Sequence, residues 1–285
     1  MKNYLKPVPG NKETSLMWFT GYLINIFAWT IGAAVFVLVA DSFWSSEKEP
    51  WQTFFVSFIQ FAPCLIAVLI ATKLFGRKVL TVVTSEQKFS IRNLRFGILS
   101  WMAVLGTGTF ISWAADPSAL KYTFDISTFA PALLVLLLLL PIQVSAEELF
   151  FRGFIPQSLS RTSMSDSLVI TISTLIFALP HLLNPEATSD PVWSLIAYSA
   201  MGFGWLMAAK WLGGLEVAIG AHLANNFFGL AIVGYENSVV ESSSIWVGPE
   251  AQMQSSAIAL WITVGIWLFI VKKLRVSKLN SVTEG

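Results

Sequence analysis

Charged residues are scarce in this sequence of 285 residues. Asp, Glu, Lys and Arg together make up 12% of it, whereas hydrophobic residues make up 55%. A soluble domain of this length carries about twice that fraction of charge. The shortage of charge therefore excludes an ordinary soluble protein. The sequence also lacks a long basic tract, so it predicts no nucleic-acid partner.

Cysteine and histidine are almost absent. The single cysteine, Cys64, lies within a hydrophobic stretch, and one cysteine excludes any disulfide within the chain. The only two histidines are His181 and His222. Both lie in or at the end of hydrophobic stretches, where an ionisable side chain is a candidate functional residue.

Long hydrophobic runs are what the sequence has in abundance. Eight blocks contain no Asp, Glu, Lys or Arg: Met17–Ala40, Trp51–Thr72, Phe96–Ala115, Phe129–Ala146, Leu168–Leu183, Trp193–Ala209, Val217–Val233 and Ser256–Val271. Most approach the ~20 residues with which a helix spans a bilayer. The first block is too long for a signal-peptide core, and no small-residue cleavage site follows it. The sequence thus predicts an all-α polytopic membrane protein with about eight transmembrane helices.

The distribution of Lys and Arg predicts the orientation of these spans. Sixteen of these residues fall on one set of alternate sides and only two, Lys48 and Lys121, on the other. Basic residues collect in cytoplasmic loops, so both termini are expected in the cytoplasm. The expected location is a bacterial cell membrane. The largest basic connection, residues 73–95, is predicted to lie on the headgroup surface.

No repeat or linker divides the chain, so it is predicted to form one membrane domain. The predicted organisation is a cytoplasmic N-terminal tail at 1–14, a membrane domain at 15–275 with its catalytic core at about 129–235, and a C-terminal tail at 276–285. Both tails are expected to be mobile.

A cluster of charges interrupts this hydrophobic pattern at the end of the fourth block. Glu148 and Arg152 are four residues apart, which is the favourable order for a helical ion pair. Glu147 is rotated from Glu148 by about 100° around the helix and is expected to point elsewhere. One interpretation is that the cluster caps the span and extends into the headgroups.

The spacing around the next turn indicates a deeper position for the cluster. Glu147 precedes Met164, the centre of a polar turn, by 17 residues, and His181 follows Met164 by 17 residues. In a helical hairpin the two side chains would reach the same level, roughly 25 Å from the turn. Glu147 is then inside the membrane, and its charge must face a polar cavity.

A third polar pair lies in the seventh block. His222 and Asn226 share one helical face, between Gly220 and Gly229, whose small size allows close packing of helices. From the preceding glycine turn, His222 is about 12 Å deep, which is shallower than the estimate for the other pair.

These side chains suit hydrolysis. Glu147 could take a proton from water, while histidine and Asn226 could hold an oxyanion. Glu147, His181 and His222 also resemble a zinc site with an open position for water. Both arrangements remain open at this point. Other intramembrane protease signatures are absent: there is no H-E-x-x-H, and Trp205 stands where a G-x-G-D motif has aspartate.

Three short motifs in sequence order resemble a known family. They are E-E-x-x-x-R (Glu147, Glu148, Arg152), F-x-x-x-H (Phe177, His181) and H-x-x-x-N (His222, Asn226). Each is weak alone, but all three in order on successive membrane helices are specific. They resemble the CPBP group, which comprises type II CAAX prenyl endopeptidases and bacteriocin-processing or bacteriocin-immunity proteins. The resemblance covers roughly residues 129 to 235.

The resemblance implies an intramembrane endopeptidase acting on a membrane-associated peptide or protein within the lipid bilayer. It implies Glu147 as the base that activates water, with His181, His222 and Asn226 binding the water, a metal or the oxyanion. Glu148 and Arg152 would be a supporting pair. Such proteins are usually called metalloproteases, which makes zinc the candidate cofactor, although a metal-free mechanism based on glutamate is also argued.

Two alternatives come from other functional classes. Family members also serve as membrane partners of sensor kinases or as toxin-immunity factors, which need no cleavage. A transporter or a bis-histidine haem protein is the other alternative, but neither requires the cluster of Glu147, Glu148 and Arg152. The complete set of acid, histidine and amide favours the enzyme.

Overall fold

A computed structural model describes residues 4–6, 14–44, 48–238, 240 and 243–283. The side chains of Glu186 and of residues 276–283 lie outside the described part. Most of the predicted N-terminal tail therefore also lies outside it.

Eight long helices carry the fold. They are α1 (Ser15–Asp41), α2 (Pro50–Leu74), α3 (Ile91–Ala115), α4 (Ile126–Leu159), α5 (Asp166–Leu183), α6 (Pro191–Leu212), α7 (Glu216–Phe227) and α8 (Met253–Thr283). Within the described residues, seven helices are long and apolar enough to cross a membrane, namely all of these except α7. The prediction of an all-α polytopic membrane protein is confirmed. The predicted seventh block forms α7 and a π-helical continuation, Phe228–Ile232, and together they are shorter than the other spans.

Short elements occupy the connections. They include two short helices, Leu80–Val83 and Pro185–Thr188, and a 3₁₀ turn, Pro117–Ala119. They also include a small sheet of three strands: β1 (Lys121–Tyr122), β2 (Val233–Tyr235) and β3 (Trp246–Gly248). The strand order is β1-β3-β2, with β1 antiparallel and β2 parallel to β3. The end of the bundle that carries this sheet is called the sheet end below.

The described residues include three π-helical turns. These are Ala28–Gly32 within α1, Glu148–Phe154 within α4 and Phe228–Ile232 directly after α7. Bulges of this kind occur frequently at functional sites because they re-aim side chains. The first two meet through Trp29, whose ring centroid lies 5.7 Å from that of Phe150 and 5.3 Å from that of Phe151.

Glycines fix the contact between α3 and α7. A Cβ atom added to Gly220 would collide with the backbone oxygen of Leu94, and one added to Gly97 would collide with that of Val217. The predicted role of Gly220 in close packing is confirmed. Gly229 has no neighbour within 4 Å of such an atom, so the same prediction is wrong there. Gly213, with a φ of 80°, ends α6 in a left-handed conformation that glycine adopts readily.

The beginning of the chain enters the core. Tyr4 and Leu5 are buried. The Tyr4 hydroxyl donates to the carbonyl oxygen of Val82 at 2.8 Å, and the carbonyl oxygen of Arg152 lies 3.2 Å from the same hydroxyl. Burial raises the pKa of Tyr4 well above its usual value. The expectation of a mobile N-terminal tail is therefore wrong for these residues, because they bury apolar surface and a hydroxyl that finds acceptors. At the other end, α8 continues to Thr283, so most of the predicted C-terminal tail is helical.

Candidate active site

The charged cluster lies on the long helix α4, deep within the bundle. This helix runs for 34 residues, well beyond the hydrophobic block that opens it. The exposed fractions are 7% for Glu147, 0% for Glu148 and 1% for Arg152. The alternative in which the cluster reaches into the headgroups is therefore wrong. Because Arg152 is buried in a helix, it no longer counts among the loop Lys and Arg residues that predict the orientation. The difference in Lys and Arg between the two sides stays large without it.

His222 of α7 lies between the two carboxylates. Its Nδ1 atom is 2.7 Å from Oε1 of Glu148, and its Nε2 atom is 3.5 Å from Oε2 of Glu147. An ionised carboxylate only accepts hydrogen bonds, so Nδ1–H donates to Glu148. The expectation that Glu147 points away from the Glu148 cluster is wrong. Both carboxylates reach one imidazole because its two nitrogens face different directions and because α4 changes to π-helix at Glu148.

Arg152 completes the network. Its Nη1 atom lies 3.0 Å from Oε1 of Glu148, as the i, i+4 spacing predicts. The guanidinium also lies over two rings, 3.6 Å from the centroid of Phe177 and 5.1 Å from that of Trp205. Its ion pair is close but poorly aligned, since no guanidinium nitrogen has a hydrogen-bond acceptor among the described residues. One carboxylate and two aromatic faces thus stabilise the positive charge.

Trp205 supports the same site from α6. Its ring stacks on that of His222, with centroids 4.4 Å apart and planes inclined by 26°. Trp205 is thereby in contact with both His222 and Arg152, and these contacts fix the plane of the imidazole. In the sequence, Trp205 is notable only as the residue that breaks a G-x-G-D motif, so its role was not predicted.

His181 has different neighbours. Its Nδ1 atom lies 2.9 Å from the carbonyl oxygen of Phe177, and its ring stacks on Tyr198 with centroids 4.3 Å apart. Tyr198 and Trp205 are seven residues apart on α6, or about 10 Å. His181 and His222 therefore stack on different residues of α6. Among the described residues, His181 makes no hydrogen bond with Glu147 and no ring contact with His222; its contacts are with Phe177 and Tyr198.

Asn226 forms a second layer beside the carboxylates. Its Nδ2 atom donates to Oε1 of Gln143 at 3.0 Å. Gln143 precedes Glu147 by one helical turn on α4, and Asn226 follows His222 by one turn on α7. The two helices are antiparallel at this point, so an amide pair lies one turn from the contact between Glu147 and His222. Gln143 was not predicted, although its i, i+4 spacing from Glu147 in an apolar block was an available signal.

The side chains do not form a metal site as they are arranged. Among the residues that the structure describes, no group of three or more His, Cys, Asp or Glu side chains is placed to hold a metal ion. The three candidate zinc ligands, Glu147, His181 and His222, do not form such a group.

The fold and the site together define a class of protein. It is a multi-pass helical membrane protein that holds two carboxylates, an arginine and a histidine in one buried contact network. Such a network suits chemistry on a peptide or another polar substrate. Ionisable groups are costly to bury in a membrane protein, so those that are buried there are candidate functional residues.

Comparison with known proteins agrees with the motifs. Residues 128–228 match the family described as Type II CAAX prenyl endopeptidase Rce1-like. The predicted resemblance to the type II CAAX prenyl endopeptidases is thus confirmed for this central part of the chain. A similar relative is the protein YyaK of Bacillus subtilis (strain 168), described as uncharacterized, which is 28% identical over 253 residues covering 84% of each chain. No solved structure matches.

Proposed function

We propose that this protein is an intramembrane endopeptidase that hydrolyses a peptide bond in a membrane-associated peptide or protein. The observation that carries the proposal is the contact of His222 with both Glu147 and Glu148, buried within the helical bundle. The match of residues 128–228 to an endopeptidase family supports the same reaction class.

Glu147 is the proposed general base. It is the carboxylate that makes no ion pair with Arg152, and its Oε2 atom faces Nε2 of His222 across 3.5 Å. A water held beside these two atoms would give its proton to Glu147 as its oxygen attacks the substrate carbonyl carbon. Glu147 would then return that proton to the amide nitrogen as the C–N bond breaks. Positioned proton transfer of this kind contributes typically ~10²–10⁴-fold to a rate.

Glu148 and Arg152 are proposed to support His222. Glu148 accepts the Nδ1 proton of His222, which directs Nε2 towards Glu147. When His222 carries a proton on both nitrogens, the charges of Glu147, Glu148, Arg152 and His222 sum to zero. A neutral network is the less costly arrangement in a membrane interior, and the Nε2–H group can stabilise the developing oxyanion.

A purely structural role does not account well for the network. Replacing a buried ion pair with apolar side chains of similar volume often leaves a protein equally stable or makes it more stable. Four charged or ionisable groups at one buried point therefore favour a chemical function over a scaffold. His181 and Asn226 remain proposed site residues.

Comparative proteomics tests this proposal. Membrane and secreted peptides are compared between cells carrying the wild-type protein and cells carrying Glu147→Gln, which preserves shape but removes the base. Cleavage is expected to fall by ~10²–10⁴-fold without loss of protein. Glu236→Gln is the matched control, because Glu236 is exposed and pairs with Lys121 at the sheet end. Full cleavage by Glu147→Gln would overturn the proposal and favour a non-proteolytic partner or immunity factor.

A further inference from the structure

A line of hydrogen-bonded side chains runs from α3 to the edge of the proposed active site. Nε1 of Trp101 donates to Oδ1 of Asn225 at 3.2 Å. Nδ2 of Asn225 donates to Oδ1 of Asn226 at 3.1 Å, and Nδ2 of Asn226 donates to Oε1 of Gln143 at 3.0 Å. Three carboxamides in series thus connect a buried tryptophan to the layer next to Glu147.

The tryptophan sets the direction of the whole line. An indole N–H can only donate, so Asn225 must turn its oxygen towards Trp101. The nitrogen of Asn225 then faces Asn226, which must present its oxygen, and the nitrogen of Asn226 faces the oxygen of Gln143. Reversing any one amide would bring two donors or two acceptors together. The orientation of each amide therefore follows from the first donor.

The line ends on free donors. With Oε1 of Gln143 occupied by Asn226, its Nε2 group faces the other way and has no acceptor among the described residues. The second N–H of Asn226 is in the same position. Gln143 is 4% exposed and Asn226 is half-buried, so these donors lie within the bundle without a protein acceptor among the described residues. An acceptor supplied by a bound molecule would satisfy them.

These donors lie where the proposed reaction develops negative charge. Gln143 and Glu147 are four residues apart on one face of α4, and Asn226 and His222 are four apart on α7. When water adds to the substrate carbonyl, one electron pair of the C=O bond moves to oxygen while the water proton moves to Glu147. A carbonyl oxygen located one turn from Glu147 would meet the amide N–H groups of Gln143 and Asn226.

We infer that Gln143 is a further oxyanion donor beside Asn226, and that Trp101 and Asn225 are positioning residues that fix both amides. This inference rests on the proposed endopeptidase activity. Its physical basis is preorganisation: donors that are already oriented need no rearrangement when the charge appears. Trp101 acts at a distance, since two hydrogen bonds link it to Asn226 and three link it to Gln143.

The test deletes a single N–H group. Trp101→Phe removes the first donor but keeps an aromatic ring. Trp267→Phe is the matched control, since Trp267 is equally buried, packs on Trp101 with centroids 5.1 Å apart, and donates instead to Ser100 at 2.9 Å. The substrate is a quenched fluorescent peptide built on a cleavage site recovered from the proteomic comparison.

The expected result is a split between kcat and KM. Trp101→Phe is expected to lower kcat at least ~10-fold with KM nearly unchanged, while Trp267→Phe keeps kcat near the wild-type value. Gln143→Met removes the terminal donor and is expected to lower kcat by about 10²–10³-fold, as loss of one oxyanion donor does. Combining Trp101→Phe with Gln143→Met is expected to cost less than the product of the two losses, because both act through the same amides.

Other outcomes separate the two proposals. Equal kcat for Trp101→Phe and Trp267→Phe, in a wild-type enzyme that Glu147→Gln inactivates, would overturn the inference and leave the endopeptidase standing. Should Trp101→Phe not fold, wild-type kcat in Gln143→Met would overturn it equally. Wild-type protein that cleaves no better than Glu147→Gln would overturn both.

Discussion

The Nδ1 atom of His222 lies 2.7 Å from Oε1 of Glu148, the same oxygen that pairs with Arg152 at 3.0 Å. Glu148 is therefore shared between a guanidinium and an imidazole, and it connects the ion pair on α4 to the histidine on α7. From the sequence, Glu148 is only the partner of Arg152. The shared oxygen means that a change at Glu148 affects both charge balance and the position of His222.

Glu148→Gln is expected to destabilise the protein. It leaves the buried guanidinium of Arg152 without its carboxylate, which typically costs about 3–5 kcal/mol. Melting temperature and protein level in the membrane measure the effect. Glu147→Gln is the comparison, and it is expected to leave stability unchanged or slightly higher because a costly buried charge disappears. A Glu148→Gln protein as stable as wild type would contradict the ion-pair role.

Neutralising both partners is expected to recover part of that stability. The double variant Glu148→Gln and Arg152→Gln also removes the guanidinium that Glu148→Gln alone leaves without its carboxylate. Cleavage should remain low, because His222 has lost the acceptor of its Nδ1 proton. The melting temperature should lie between those of wild type and Glu148→Gln. A double variant less stable than Glu148→Gln would show that Arg152 contributes mainly through Phe177 and Trp205.

Tyr4→Phe is expected to lower stability by about 1 kcal/mol, the usual net value of one hydrogen bond. The hydroxyl of Tyr4 donates to the carbonyl of Val82 inside the core, and phenylalanine keeps the ring but removes the donor. Tyr122→Phe, at an exposed position, provides the control. Thermal unfolding measures both variants, and equal melting temperatures would argue against a structural role for the Tyr4 hydroxyl.

Cysteine labelling tests the predicted orientation. Single cysteines at Ser163, between α4 and α5, and at Ser243, near the sheet, are expected to react with an impermeant reagent from opposite sides. Native Cys64 is buried, which limits its background reaction. The cysteine at position 243 should react in intact cells and the one at 163 only after permeabilisation. Reaction from the same side would contradict the orientation predicted from Lys and Arg.

Chelation tests the metal question. Cleavage is expected to persist after exhaustive chelation. If Glu147 were a metal ligand, a different group would have to act as the base. Among the described residues, His181 also makes no hydrogen bond or ring contact with Glu147 or His222. Metal analysis of the purified protein accompanies the assay. About one zinc per chain, with activity abolished by chelation and restored by zinc, would contradict this expectation.

Much of the site was predictable because it depends on local spacing. The i, i+4 pairs of Glu148 with Arg152 and of His222 with Asn226 follow from helical geometry alone. The distance to the polar turn at 160–167 predicted that the cluster lies away from the end of the helix, and the burial of Glu147, Glu148 and Arg152 in the bundle agrees with that prediction. Gln143 had a signal in its i, i+4 spacing from Glu147. Trp101 and Trp205 could not be predicted, since nothing in an apolar block distinguishes a tryptophan that contacts lipid from one that packs inside the bundle.

The sequence alone determined that this chain is a helical membrane protein, because long runs without charge must satisfy their backbone hydrogen bonds internally in lipid. It also determined which polar residues share a helix face. Only the tertiary structure decided that both carboxylates meet His222 and that His181 lies apart. Those relationships depend on how closely α3 and α7 approach at Gly97 and Gly220, and on where α4 changes to π-helix. Such contacts are set by packing between helices distant in sequence, which no local pattern records.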